Sequence, residues 1–143
     1  MKLSDEQIKS IAEELECGMK VYVHIETKEM KTILDFNDNF YMDEEEWAEE
    51  IKEIEENYDK YVQFEKMDSR ESFRVMDEFI ETVKDEKLKM KLELGLSLSK
   101  PFRNFKDIID SAGEYREKWF EFKSMKYVEY VKEQLAFLNN AGE

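Results

Sequence analysis

One cysteine, one proline, one histidine and four glycines are spread over 143 residues. Each scarcity excludes something. Cys17 alone forms no internal disulfide and no cysteine-based metal centre, and a lone thiol fits a reducing cytoplasm. With so little proline and glycine to break helices, a mostly helical chain is expected. The longest charge-free stretch, Gln134–Gly142, spans nine residues and includes two asparagines, far short of a membrane span. The opening residues, MKLSDEQIKS, lack the apolar segment of a secretion signal. No Gly-x-Ser-x-Gly elbow, phosphate loop or dinucleotide fingerprint occurs. The expectation is a cytoplasmic protein with no membrane association and no cofactor.

Charge is abundant. Acids number 36 and bases 22, a net charge of −14, and charged and apolar residues each make up 41% of the chain. That is too apolar and too aromatic for a disordered tail. The length suits one domain with a single sizeable core, expected over 1–143. Residues 1–98 carry 28 acids and 14 bases, whereas 99–143 carry eight of each. An acidic surface repels phosphate backbones, so nucleic-acid binding is disfavoured over the first two-thirds.

Local patterns predict an α+β fold dominated by helix, with an N-terminal helix and a small antiparallel hairpin or sheet packed on a multi-helix C-terminal part. The division falls between 1–66 and 67–143. Ser4-Asp5-Glu6-Gln7 fits a capping box, followed by Ile8, Ile11, Ala12 and Leu15 at helical spacing. Val21, Val23 and Ile25 alternate with polar residues, and with Met30–Leu34 they read as a hairpin. An acidic helix is expected over Asp43–Asn57, with Trp47, Ile51, Ile54 and Tyr58 on one stripe. Tyr61–Phe64 reads as a third short strand. Asp68 or Ser69 caps a helix whose inner stripe is Phe73, Met76, Ile80 and Val83. From Leu88 to Leu98 every second residue is apolar, a strand's period, yet the residues are helix formers without β-branching, and composition favours helix. Pro101 opens the next helix, with Phe102, Phe105, Ile109 and Ala112 inward and Gly113 at its end. Helix continues from Glu114 to Leu138, with a bend near Ser124.

Three features invite a chemical reading. Asp35, Asn37, Asn39, Asp43 and Glu46 place oxygens at calcium-loop positions, but the sixth position is Phe40 where glycine is needed, and a strand precedes where a helix should. Capping and turn formation explain the same residues, so no metal site is assigned. His24 reads as a half-buried or exposed strand residue. Cys17, beside Glu14 and Glu16, reads as a small buried or inert one. The carboxylates are too numerous for one pair to stand out as catalytic.

Residues 101–138 hold nine of the nineteen aromatic residues, interleaved with cations. Pairs four apart, Arg103–Asp107, Lys106–Asp110 and Glu114–Lys118, absorb part of that charge. Lys123 sits at stacking distance along the helix from Trp119 and Tyr127. Tyr115, Trp119, Phe122 and Tyr130 form one stripe, and Phe120, Tyr127, Val131, Leu135 and Leu138 another. Two stripes imply burial on two sides, or one side covered by a partner. Arg103, Arg116, Trp119, Lys123 and Tyr127 are the candidate binding surface.

The chain resembles a small family of uncharacterised bacterial proteins. The likeness rests on Ser72–Met76 with Phe79-Ile80, on Pro101–Asp107, and on Tyr115–Phe122, and covers roughly 58–138. It implies a bacterial cytoplasmic setting and brings no catalytic residues. The favoured function is a non-enzymatic, acidic protein-interaction module with a protein partner. The alternatives are nucleic-acid or nucleotide binding through the aromatic, basic segment, and a carboxylate-based hydrolase or metal-dependent enzyme. Mimicry of DNA by the acidic face follows from charge alone.

Overall fold

The computed structural model describes residues 1–34 and 48–141. Its order is α1 (Asp5–Glu16), β1 (Met19–His24), β2 (Met30–Leu34), α2 (Ala48–Glu56), a short 3-10 helix (Tyr58–Lys60), β3 (Tyr61–Phe64), α3 (Ser69–Thr82), α4 (Glu86–Ser97), α5 (Pro101–Asp110) and α6 (Glu114–Ala141). This is an α+β, helix-dominant fold. Contacts divide it into two compact units, one of residues 1–66 with 127–143, the other of 67–126. The first unit runs to Lys66 and takes in the part of α6 from Tyr127 onward. The expected calcium-loop residues, Asp35, Asn37, Asn39, Asp43 and Glu46, lie outside the described residues, as does Trp47.

In the first unit, Ser4 accepts the Gln7 backbone N–H and the Gln7 side chain accepts that of Ser4, the reciprocal cap that starts α1. Gly18, at φ +85°, lets the chain reverse into β1. The sheet is antiparallel in the order β2-β1-β3. Val21 and Val23 are buried and pair in register with Thr32 and Met30 on one side and Phe64 and Val62 on the other. Alternation sends Tyr22, His24, Lys31 and Tyr61 to the opposite face. Gln134 of α6 binds the chain end of β3 twice, accepting the Glu65 N–H at 3.3 Å and donating to the Glu65 carbonyl at 3.0 Å. Three expectations need correction. Tyr58 does not join Ile51 and Ile54, because α2 ends at Glu56 and the 3-10 turn leaves its ring 76% exposed. Ile25 falls in the hairpin turn and is exposed. Cys17 is exposed too, since it is the C-cap of α1 and not part of its inner stripe.

The second unit is wholly helical. Asp68 caps α3 and Asp85 caps α4 through backbone N–H groups. Its core comprises Met76, Phe79, Ile80, Val83, Leu92, Leu96, Phe105 and Ile109, with Tyr115, Trp119 and Phe122 half-buried against it. Phe79 is the hub, with ring centroids 5.3 Å from Trp119, 5.4 Å from Phe122 and 6.4 Å from Phe105. The first turns of α3 and α5 differ from expectation. Phe73 and Phe102 face outward, while Val75 and Phe79 join the expected Met76, Ile80 and Val83 on the buried side of α3. α5 ends at Asp110, before Gly113, and α6 continues through Ser124.

The period-two segment is a helix, as its composition implied. α4 and α5 pack closely because residue 95 has no side chain. A Cβ there would lie 3.0 Å from Ile108 Cδ1 and 3.3 Å from Asn104 Cβ. Asn104 fixes the turn between them, its amide donating to the carbonyls of Gly95 and Ser99 at 2.9 Å each. Those carbonyls have no helical partner of their own at the end of α4.

Candidate interaction surface

Apolar residues at every second position on a helix fall into two rows on opposite sides, because two residues turn the helix by roughly 200°. In α4 one row is Leu88, Leu92 and Leu96, and it enters the core, with Leu92 fully buried. The other is Met90, Leu94 and Leu98, which are 67%, 60% and 55% exposed. These three side chains stand at offsets of four, so they form one continuous ridge. Fully burying a leucine or methionine is worth roughly 1.5–3 kcal/mol, so about 3–5 kcal/mol of transfer free energy is left for an association to use. Joining two molecules costs an estimated ~4–15 kcal/mol, so this ridge alone does not hold a partner. Charge flanks it on both sides. Lys91 lies along one flank and Glu86 and Glu93 along the other, while Lys87, seven residues before Leu94, continues the line of the ridge at its N-terminal end; all four are exposed and none is in an ion pair among the described residues.

The residues of the surface expected from the aromatic, cationic segment differ in exposure and in unit. Arg103 is exposed on α5. Arg116 is exposed, its Nε 3.4 Å from Asp110 Oδ1 and its guanidinium 4.8 Å above the Phe120 ring. Trp119 is half-buried, its ring 4.7 Å from Phe105. Lys123 is half-buried in the same unit. Tyr127 is buried, belongs to the first unit, and stands edge-on to Tyr130 at 6.3 Å. Arg103, Arg116 and Lys123 thus share a unit from which Tyr127 is absent, and Tyr127 offers no ring to a partner. Along α6, Tyr115, Trp119 and Phe122 pack on the core of the second unit and Tyr127 and Val131 are buried in the first, while Tyr130 of the first stripe also falls in the first unit and Phe120 of the second stripe is exposed.

The expected charge pairs are likewise rearranged. Glu114–Lys118 forms at 3.8 Å, whereas Asp110 pairs across the helix turn with Arg116 and not with Lys106. Cation–π contacts join Lys118 to Tyr115 and Lys126 to Phe122, not Lys123 to Trp119 or Tyr127. Lys126 also meets Glu78 at 3.0 Å. An open cleft of about 400 Å³ is lined by Lys84, Tyr115, Lys118, Phe122 and Met125 among others. It is where a nucleotide-binding reading would have to be sited, but Lys118 is already engaged by a ring and a carboxylate.

A polar cluster that the sequence did not reveal lies on the sheet of the first unit. Lys31 of β2 donates to Glu53 of α2, and the Tyr61 hydroxyl is 3.5 Å from the other Glu53 oxygen. The lysine holds the Glu53 carboxyl below the usual carboxylate range, and the same bond pushes Lys31 up. Burial, with the Glu53 charge second, raises Tyr61. His24 packs edge-on to Tyr61 at 5.2 Å, and its Nδ1 accepts the N–H groups of Glu26 and Thr27 at 3.1 and 3.2 Å, closing the hairpin turn. The Lys31 and Glu53 shifts favour the charges already present, and the Tyr61 shift keeps its phenol neutral. A general acid needs a raised carboxyl, and Glu53 is moved the other way. The cluster ties α2 to the sheet.

A family model described as an uncharacterised protein family, UPF0158, matches residues 38–140. The chain belongs to UPF0158. The match begins earlier than the resemblance in the sequence suggested and takes in the whole helical unit, the α4 ridge included. No curated protein and no solved structure matches the chain. Among the described residues of this UPF0158 member, no helix is long and apolar enough to cross a membrane, and no group of three or more His, Cys, Asp or Glu could hold a metal ion.

Proposed function

We propose that this UPF0158 protein is a non-enzymatic interaction module that engages another polypeptide along the outward face of α4. The observation that carries the reading is the exposed ridge Met90–Leu94–Leu98 on a helix whose opposite row is fully used in the core. Single exposed apolar side chains are ordinary, but two in line on α4 with a third at its C-cap form the kind of continuous patch that marks contact sites. Arg103, exposed in the same unit, is the arginine of the expected surface that remains for a partner, since Arg116 is engaged by Asp110 and the Phe120 ring. The acidic character belongs to the other unit. Residues 1–66 with 127–143 hold 23 acids and 9 bases, while 67–126 hold 13 of each. A ridge in a neutral unit avoids the repulsion that the net −14 would impose on many partners. Tagged protein, cross-linked in its own cells and purified beside Leu94→Glu, tests the reading. Wild type should retain a polypeptide, a second copy included, that Leu94→Glu loses. Equal recovery by both overturns it.

A further inference from the structure

We infer that the polypeptide covering the α4 face is a second copy of this chain, its α4 lying alongside in the same direction; the inference rests on the interaction reading above. Apolar area is the first ground. One ridge falls short of what association costs, and a second copy brings an equal ridge, so that Met90, Leu94 and Leu98 meet their own counterparts across a two-fold axis.

Charge decides the direction. Lys91 occupies one flank of the ridge and Glu86 and Glu93 the other, with Lys87 on the ridge line at its exposed N-terminal end. Two parallel copies set Lys91 beside the other's glutamate flank, and Glu86 and Lys91, five residues apart, have the spacing at which facing flanks of parallel helices meet; Lys87 then meets its own counterpart at the solvent end of the seam, a cost in stability that the two Glu86–Lys91 pairs offset. Two antiparallel copies would bring like flanks together. A uniformly acidic helix would suit Lys87 and Lys91 but repel from Glu86 and Glu93, and an anionic bilayer would meet the same pair of carboxylates. The unit that carries α4 holds equal numbers of acids and bases, so two such units approach without the penalty its acidic neighbour would impose.

Sedimentation velocity of the full chain over a range of concentrations is the test, with Leu94→Glu, Lys91→Glu and the exchanged pair Glu86→Lys/Lys91→Glu. All three positions are exposed, and circular dichroism checks that each variant is folded. Wild type should dimerise with rising concentration, and Leu94→Glu should stay monomeric throughout. Lys91→Glu should weaken the dimer roughly tenfold and the exchanged pair should recover most of that loss. A wild type that stays monomeric, a dimer indifferent to Leu94→Glu, or an exchanged pair that rescues nothing overturns the inference. If wild type is monomeric while Leu94→Glu still loses a different polypeptide captured in cells, the interaction reading stands and the second copy falls. If capture is also unaffected, both fall.

Discussion

Replacing Leu92 and Leu94 separately by alanine tests whether α4 has two opposite faces of opposite fate. Leu92 is fully buried, so its truncation removes the transfer free energy and leaves a cavity beside Phe105 and Ile109 in the same core. Losses for such leucines run at roughly 3–5 kcal/mol. Leu94 is 60% exposed. Losing its partial burial costs about 0.5–1 kcal/mol, and the better helix propensity of alanine returns a few tenths, roughly. Urea unfolding reports both if Trp119, which sits against Phe79 and Phe105, is the fluorophore in a Trp47→Phe background. With a slope of about 2 kcal/mol per M, Leu92→Ala should lower the midpoint by about 2 M and Leu94→Ala by under about 0.5 M. Protein should be dilute enough that association does not contribute. Equal losses would refute the reasoning, because a strand with the same period of two places both side chains on one face.

Three further outcomes follow from local geometry. Gly95→Ala gains about 1 kcal/mol of helix propensity but presses a Cβ against Ile108 and the doubly bonded Asn104, an overpacking cost of roughly 1–3 kcal/mol; a net loss in thermal unfolding is expected, relieved by Ile108→Val. Asn104→Ala should cost about 1–3 kcal/mol, read by the same Trp119 signal, because two carbonyls at the end of α4 lose their donor. For Lys31 and Glu53, the lowered carboxyl contributes stability that is lost as pH falls through its folded-state value, and the raised amine contributes stability that is lost as pH rises through its own. The stability difference between wild type and Lys31→Met should therefore be present around neutral pH and fade on both sides. A difference that is flat with pH would show the pair contributes nothing.

Much of the fold was legible because local rules agreed. Ser4 with Gln7 announced its cap, and the alternation at Val21 and Val23 announced a strand. Composition outvoted periodicity at 88–98, where leucine, lysine and glutamate without β-branching made a helix of a strand-like pattern. The sequence pointed to a candidate surface on α5 and α6, whereas the ridge proposed above is on α4. Its signal was in that same pattern, since alternation on a helix must leave one apolar row on each side. Which row entered the core depended on α5 packing against Gly95, a contact between segments that no local rule supplies. The Asp110–Arg116 pair was missed for a similar reason, as it spans the turn between two helices and obeys no helical spacing. Two stripes on α6 were visible, but not that the helix passes from one unit to the other at Tyr127, so Tyr127 looked available when it is buried.

The most direct measurement places a photo-activatable benzoylphenylalanine at position 94, and at Glu121 on the exposed side of α6 as control, and irradiates cells expressing each protein. The predicted result is a discrete cross-linked product from position 94, at twice the chain mass if the partner is a second copy, with none from position 121. No product from position 94, or the same products from both, would contradict the claim that the outward face of α4 is a contact surface.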